Sequence, residues 1–296
     1  MQPENLLQQL HLGTQKCSVG CPVLDHCLSG GFPCNSVTEL VGESGCGKTQ
    51  FCLQLVLSAQ LPPSRGGLSA SSLYIHTEFP FPLRRLRQLS RVFRSSHPDF
   101  CSSDPCDRVF VHGIYSADKL VDIMPKIELF LSHSRSRWPV RVIVIDSIAA
   151  LFRSDFENTR LDLRKRSSLF FKISGGLKSL AKRFGIAVVV TNQVVDLIGS
   201  ASEGVNGMRI GNLSGLYSSG RRVCPALGLA WANCLNSRLF LSMDEKVDGD
   251  GDGDGRVYQR TKTRRLSVVF APHLPESSCE FMIKGEGVFG VQMHQA

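Results

Sequence analysis

Apolar runs and polar breaks alternate along the first two thirds of the chain. The short apolar runs, which predict strands, lie at 36–40, 72–77, 108–112, 141–146 and 186–191. The segments between them with an apolar face, which predict helices, lie at 48–59, 83–93, 117–132 and 163–184. Strands that alternate with helices form βαβ units and lie parallel in one sheet. The pattern therefore predicts an α/β fold with a mostly parallel central sheet flanked by helices.

Beyond Gln193 this alternation stops. The segment 196–222 is rich in Gly and Ser, which predicts a mobile loop. Three apolar segments further on predict strands joined by hairpins, at 231–243, 266–270 and 279–284. We therefore expect the sheet to have an antiparallel C-terminal edge.

An Asp-Gly repeat at 248–255 interrupts these C-terminal strands. It resembles the start of a calcium-binding EF-hand loop, but its twelfth position is Gln259, which cannot supply the bidentate carboxylate of such a site. The flanking segments also have the pattern of strands rather than helices. We therefore predict an acidic, flexible loop at 244–256 instead of a calcium site.

The length of 296 residues and the hydrophobic fraction of 42% fit one large folded α/β domain. Residues 1–17 are too few to fold alone, so we expect a short N-terminal lead and then a core at 18–296. No apolar run approaches the roughly 20 residues of a membrane span, and the polar start lacks the features of a secretory signal. We expect a soluble, intracellular protein.

The formal charge is +8, from 34 Lys and Arg against 26 Asp and Glu. This surplus favours polyanionic partners such as nucleic acid, although a soluble basic protein without such a partner fits the charge equally well. The 11 cysteines are odd in number and scattered, and they form no C-x-x-C pair. This spacing indicates buried, reduced thiols rather than a disulfide framework or a metal site.

One segment has the pattern G-x-x-x-x-G-K-[ST] of a phosphate-binding loop: Gly42, Glu43, Ser44, Gly45, Cys46, Gly47, Lys48 and Thr49. Glycines let the backbone N–H groups turn inward onto phosphate oxygens, and the following helix directs its positive end at the anion. In this chemistry Lys48 contacts the β and γ phosphates and Thr49 offers its hydroxyl to magnesium. The motif follows a predicted strand and opens a predicted helix, as it should, so we predict a site for ATP and Mg²⁺.

Polar residues also end three other predicted strands. Asp146 ends one of them, and Glu78 and Gln193 follow two more. The carboxyl ends of parallel strands meet at the crevice where nucleotides bind. We predict that Asp146 holds magnesium with Thr49, that Glu78 activates water, and that Gln193 contacts the γ phosphate. Each residue alone could simply cap a turn, but their shared position favours the functional interpretation.

The motifs GESGCGKTQ, YIHTE, VIVIDSIAALFRSDF and VVVTNQV occur in this order along the chain. In this combination they resemble the RecA-like recombinases of eukaryotes and archaea, from residue 18 to the C-terminus. Segments 21–25, 225–233 and 271–275 favour the paralogue branch over the strand-exchange recombinase itself. The fold that this resemblance implies is a RecA-like P-loop ATPase core.

The resemblance implies roles for individual residues. Glu78 is similar to the water-activating carboxylate of the family, and Arg85 to the arginine that lies against adenine. Two basic segments are similar to the DNA-facing loops. The first contains Arg153, Arg160, Arg164, Lys165 and Arg166, and the second contains Arg209, Arg221 and Arg222. Their charges would neutralise phosphates of single-stranded or branched DNA.

Two family features are not evident in the chain. One is an N-terminal helical domain, and the other is a linker with a Phe-x-x-Ala plug that docks on the next subunit. In addition, Phe270 stands where strand-exchange recombinases carry an Asp that meets the neighbour's ATP. The resemblance therefore implies a mixed complex with other paralogues rather than self-polymerisation.

Together these features predict an ATP-binding, DNA-binding accessory protein of homologous recombination and double-strand break repair. It would assist recombinase filaments, act on single-stranded or Holliday junction DNA as a weak DNA-dependent ATPase, and occupy the nucleus with a cytoplasmic pool. The alternative is a scaffold subunit that ATP clamps with little or no turnover. A third interpretation, an autonomous strand-exchange enzyme, is disfavoured by the two features named above.

Overall fold

The computed structural model describes residues 14–78, 80–100, 103–133, 138–153, 159–197, 216–248 and 259–291. The helices are α1 (Pro22–Cys27), α2 (Lys48–Ser58), α3 (Leu83–Ser96), α4 (Ala117–His133), α5 (Arg160–Phe184) and α6 (Gly228–Ala232). Short 3-10 turns lie at Pro63–Arg65, Pro105–Arg108 and Ala149–Phe152.

The strands begin and end as follows. In the first half of the chain they are β1 (Lys16–Cys17), β2 (Phe32–Pro33), β3 (Ser36–Gly42), β4 (Ser71–His76), β5 (Val109–Gly113) and β6 (Val140–Asp146). In the second half they are β7 (Ala187–Asn192), β8 (Val194–Asp196), β9 (Tyr217–Ser218), β10 (Arg221–Pro225), β11 (Ser237–Asp248), β12 (Gln259–Phe270), β13 (Ser278–Ile283) and β14 (Val288–Gly290).

One nine-stranded sheet forms the centre of the fold, with the order β14-β13-β12-β11-β3-β7-β6-β4-β5. The strands from β11 to β5 pair in parallel, whereas β11 to β14 pair antiparallel. The predicted mostly parallel sheet with an antiparallel C-terminal edge is thus confirmed. Because β3, β7, β6 and β4 are neighbours, their carboxyl ends meet at one edge of the sheet.

The side chains of β6 show why helices cover both faces of the sheet. Val142 and Val144 belong to one apolar cluster, whereas Ile143 and Ile145 belong to another. Helices α1, α2 and α3 contribute to the first cluster, and α4 and α5 contribute to the second. Successive side chains of a strand point to opposite faces, so an unbroken apolar run is fully buried only between two layers.

One predicted strand was wrong in its first residues. Residue Trp231 was expected to begin a strand, but it lies in the short helix α6, and β11 begins only at Ser237. The Trp231 indole is fully buried and donates from Nε1 to Oε1 of Glu39 over 2.8 Å. An apolar run cannot by itself distinguish a short buried helix from a strand, so the pattern gave the wrong type of element here.

The structure describes only end residues of the two predicted loops, 196–222 and 244–256. The ends of 196–222 contain strands, and β8, β10 and β9 form a small antiparallel sheet. In the second loop, β11 continues to Asp248 and β12 begins at Gln259, so most of the Asp-Gly repeat lies outside the described residues. Within the described ranges, no group of three His, Cys, Asp or Glu side chains is placed to hold a metal ion.

The start of the described chain is part of the packed structure. Strand β1 pairs antiparallel with β2, and its Cys17 is fully buried. Most other described cysteines are also buried free thiols, as predicted. None of the helices in the described ranges is both long and apolar enough to cross a bilayer.

A buried ion pair joins the strands beneath the carboxyl edge. Glu39 and Arg238, whose side chains are 0% and 1% exposed, form a salt bridge. Glu39 also accepts hydrogen bonds from Asn192 Nδ2 (2.8 Å) and Trp231 Nε1 (2.8 Å). The Asn192 side chain in turn accepts the backbone N–H of Gln193 over 2.8 Å. This network ties β3, β7, α6 and β11 together.

We expect Arg238→Met to lower the free energy of unfolding by about 3–5 kcal/mol, because it leaves the Glu39 carboxylate buried without its cation. The matched control is Arg265→Met on β12. The Arg265 side chain pairs with Glu280 and is 49% exposed. Such exposed pairs contribute about 0–1 kcal/mol. Equilibrium unfolding in urea measures both variants, and equal losses would contradict this account.

Candidate functional site

The phosphate-loop motif connects β3 to α2. Gly45 and Gly47 have φ angles of +79° and +115°, in the left-handed region that favours glycine. A Cβ on Gly47 would also lie 2.8 Å from Cδ1 of Ile283. Gly47 is the N-cap of α2, so the unpaired N–H groups of the first turn of α2 face the loop.

The Lys48 ammonium lies against the loop backbone. Its Nζ donates to the carbonyl oxygens of Gly42 (2.7 Å) and Glu43 (2.8 Å). The residue is only 9% exposed. Hydrogen bonds between a cation and an anionic oxygen are roughly twice as strong as those to a neutral group, so a phosphate would compete well for this ammonium.

Three hydroxyl groups converge on the Asp146 carboxylate. Thr49 Oγ1 (2.7 Å) and the Tyr74 hydroxyl (2.6 Å) donate to Oδ2, and Thr191 Oγ1 donates to Oδ1 over 2.5 Å. Burial, together with the charge of Asp146, raises the pKa of Tyr74 well above its usual value, which keeps the phenol protonated as a donor. The structure thus brings Thr49 and Asp146 together at the end of β6.

These two residues fit a magnesium ion. Mg²⁺ prefers hard oxygen ligands and is usually held by one or two protein groups together with substrate phosphates and water. The Thr49 hydroxyl and the Asp146 carboxylate supply such oxygens 2.7 Å apart, and both residues line the same cavity.

This cavity has a volume of about 700 Å³ and lies at the carboxyl edge of the sheet. That volume is within the range of small-molecule sites, roughly 300–1,000 Å³. Many of the predicted site residues line it: Ser44, Gly45, Gly47, Lys48, Thr49, Glu78, Arg85, Asp146 and Gln193. The other predicted loop residues, Gly42, Glu43 and Cys46, are not among the lining residues.

Glu78, Gln193 and Arg153 form a connected group at one side of the cavity. The Arg153 guanidinium makes a 2.8 Å ion pair with Glu78 and a 2.5 Å hydrogen bond to Oε1 of Gln193. Gln193 Nε2 also lies 3.4 Å from Oε2 of Glu78. Arg153 belongs to the first segment predicted to face DNA, and the sequence pattern does not indicate its contact with Glu78.

Arg85 also lines the cavity and binds the turn after β13. It donates to the carbonyl oxygens of Lys284 and Gly285, in each case over 2.7 Å, and to the Gln50 side chain over 2.8 Å. Burial lowers the pKa of Arg85 from its usual value. Arg85 therefore fixes the turn that borders the cavity.

Two cations of the cavity were not predicted from the sequence: Arg264 of β12 and Lys284 after β13. The Nε atom of Arg264 is buried and has no hydrogen-bond partner among the described residues. Burial raises the pKa of the nearby Cys46 thiol, and the charge of Arg264 is one of those that oppose this rise. A basic strand such as β12 is usually solvated, so its register was needed to show which side chain faces the cavity.

Glu43 points away from the cavity and toward the small sheet. Its carboxylate accepts hydrogen bonds from Ser218 Oγ (2.5 Å), Ser219 Oγ (2.6 Å) and Arg221 (3.2 Å). Arg221 also pairs with Asp196 over 3.0 Å. One residue of the predicted second DNA-facing loop is therefore bonded directly to the phosphate loop.

The remaining predicted DNA-binding residues lie on the surface or outside the described ranges. Arg160 and Arg164 are exposed at the start of α5, and Arg222 is exposed on β10. Two further basic residues of the first loop make contacts, Lys165 with Asp118 (3.8 Å) and Arg166 with the Ala226 carbonyl (3.4 Å). Arg209 falls outside the described residues.

Comparisons with known proteins agree with this geometry. Residues 13–215 match the family described as Rad51. The chain is 56% identical to the DNA repair protein XRCC3 homolog of Arabidopsis thaliana, over 99% of this chain and 98% of that protein. It is 37% identical to the DNA repair protein XRCC3 of Mus musculus, over 94% of this chain and 76% of that one.

A more distant relative is the DNA repair protein RAD51 homolog 2 of Mus musculus, 29% identical over 94% of this chain and 76% of that protein. The family match spans well over half of the chain, and the plant relative matches it over nearly its whole length. The chain belongs to the Rad51 family, in the branch of recombinase paralogues that includes XRCC3.

Proposed function

We propose that this chain is an ATP- and DNA-binding accessory protein of homologous recombination and double-strand break repair. It works in the nucleus within a complex of recombinase paralogues and assists recombinase filaments. The observation that carries the proposal is the convergence of Lys48, Thr49 and Asp146 on one cavity. The names of the relatives, which are DNA repair proteins, support the cellular role.

The cavity has the groups that a nucleoside triphosphate needs. The N–H groups at the start of α2 and the Lys48 ammonium bind phosphate oxygens. Thr49 and Asp146 would hold Mg²⁺, which would neutralise charge on the phosphates. Arg85 and the turn at Lys284 border the part of the cavity that remains for the base.

Glu78 is the residue we propose to activate water for hydrolysis. It faces the cavity beside Gln193, and its side chain is 21% exposed. The ion pair with Arg153 engages this carboxylate, and the Arg153 side chain is itself 58% exposed. A DNA phosphate that binds Arg153 would compete for this guanidinium, which supports a weak ATPase that depends on DNA.

The same ion pair supports the second candidate function, a scaffold subunit that ATP clamps without turnover. In that case Arg153 keeps Glu78 from acting on water, and ATP stabilises the subunit by binding only the folded state. Phosphate release with and without DNA distinguishes the two functions.

The proposed DNA ligand is single-stranded or branched DNA, including Holliday junctions. Arg153, Arg160, Arg164, Arg221 and Arg222 are exposed and belong to the two basic segments. The overall charge of +8 supports contacts to a polyanion.

The exposed edge of β5 is the surface we propose for a partner paralogue. Within the described chain β5 pairs only with β4, so its outer backbone groups are free to pair with an added strand. Phe110 and Val111 on this strand are 40% and 41% exposed, next to an apolar groove of about 230 Å³. Groove-lining residues also come from β4 and α4: Leu73, Ile75, Ile123, Ile127 and Phe130. An extended partner segment with an apolar side chain fits this edge.

Lys48→Ala should weaken the binding of ATP with Mg²⁺ by about 10- to 100-fold, because a hydrogen bond to a charged group contributes about 1.5–3 kcal/mol. Lys172→Ala, on the exposed surface of α5, is the matched control and should bind ATP normally. Calorimetric titration measures both affinities. Unchanged affinity in the Lys48 variant would refute the site.

Glu78→Gln should lower the steady-state rate of phosphate release in the presence of DNA by about 100-fold or more, as expected for loss of a general base. Glu280→Gln, at an ion pair on the C-terminal edge, serves as the control. Equal rates for wild type and Glu78→Gln would exclude Glu78 as the base. No release by the wild type would favour the scaffold function instead.

Phe110→Ala should weaken association with a purified partner paralogue by roughly 30-fold, since truncation of an aromatic hot-spot residue costs about 2 kcal/mol or more. Phe171→Ala removes another exposed phenyl ring, 64% exposed on α5, and should leave association intact. Analytical ultracentrifugation of the mixtures measures the effect. Equal weakening by both substitutions would argue against the β5 edge.

A further inference from the structure

A set of polar contacts joins the phosphate loop to the small sheet β8-β10-β9. Both oxygens of the Glu43 carboxylate take part: Oε1 accepts from Ser218 and Ser219, and Oε2 accepts from Arg221. The Glu43 side chain is only 11% exposed. Charge-assisted hydrogen bonds of this length are strong and depend steeply on geometry. A displacement of Glu43 would therefore alter its hydrogen bonds with all three donors.

The backbone of the same residue is bound to the lysine of the cavity. The Glu43 carbonyl oxygen accepts a 2.8 Å hydrogen bond from Lys48 Nζ, beside the 2.7 Å bond to Gly42. The proposed triphosphate attracts this ammonium and so competes with both carbonyl groups. Glu43 therefore lies between the cation that a nucleotide engages and the strands that carry Arg221.

Other contacts also attach the small sheet to the core: the Met243 N–H donates to Ser218 Oγ over 2.9 Å, and the Ala226 N–H donates to the Gln193 carbonyl over 2.8 Å. Leu216 and Val223 form a small apolar cluster with Val41 and Phe240. The turn at Ser219 is also bonded to the Met243 carbonyl of β11 over 2.6 Å. The contacts of the Glu43 carboxylate join the small sheet directly to the phosphate loop, whereas these other contacts join it to strands of the central sheet and to Gln193.

We propose that Glu43 is a positioning residue that couples occupancy of the nucleotide cavity to the position of the β8-β10-β9 sheet. This inference rests on the proposed binding of ATP and adds that occupancy of the site is transmitted to the small sheet. Nucleotide binding shifts the Glu43 backbone, and the carboxylate transmits the shift to the turn at 218–221 and to the exposed Arg221 and Arg222. Such coupling is reciprocal, so a polyanion bound at those arginines also changes the affinity for nucleotide.

Hydrogen–deuterium exchange of the whole protein tests this coupling. We expect a non-hydrolysable ATP analogue with Mg²⁺ to change exchange at residues 216–225 by about fivefold or more, the lower end of typical allosteric coupling. The double variant Ser218→Ala with Ser219→Ala removes two of the three donors to Glu43, and should lose most of this change. Arg221→Ala should lose part of it.

Ser167→Ala, whose hydroxyl donates to the Leu163 carbonyl within α5, is the matched control and should respond as the wild type does. Direct titration of the analogue is run on every protein, and thermal unfolding confirms that each variant is folded. An undiminished change in the double serine variant, or bound analogue with no change at 216–225 in the wild type, would overturn the coupling. Failure of the wild type to bind the analogue would instead overturn the proposed function, and the coupling with it.

Discussion

The hydrogen bonds to Asp146 are the constraint on which the candidate site depends. The carboxylate ends β6, and its three donors come from α2, β4 and β7. It therefore fixes the start of the phosphate-loop helix against two neighbouring strands. Deeper in the sheet, Glu39 joins β3 to β7, α6 and β11 in the same way. Carboxylates that accept hydrogen bonds from several elements at once favour one arrangement of these elements over others.

The two basic segments share a feature that links them to the nucleotide side of the molecule. The first places Arg153 on Glu78, and the second places Arg221 on Glu43. Each arginine is more than half exposed, whereas its carboxylate partner is much less so. A polyanion can therefore reach the arginines from solvent, and under the proposed function its contact with them would act on Glu78 and Glu43. This arrangement gives a physical reason for nucleotide and DNA to influence each other.

Much of the fold follows from local pattern, because apolar runs and glycine positions report on burial and backbone angles. The phosphate loop and the strand that ends at Asp146 are examples, and the structure brings Thr49 and Asp146 together. The helix at Trp231 was not predicted, because a short buried helix does not show the hydrophobic period by which helices are recognised in a sequence. The contacts of Arg153 and Arg264 were also not predictable, because they depend on how loops and strand register bring distant segments together. For Glu43, the motif predicted its position in the loop but not the direction of its side chain.

We propose that Asp146 and Thr49 form a metal site next to bound phosphates, and the proposed function depends on this site. The most direct measurement is the affinity of an ATP analogue with and without Mg²⁺, for the wild type and for Asp146→Asn. We expect Mg²⁺ to tighten binding to the wild type about tenfold or more, since a lost charged contact costs about 1.5–3 kcal/mol. The Asp146→Asn variant should lose this gain. An equal gain from Mg²⁺ in both proteins would contradict the account.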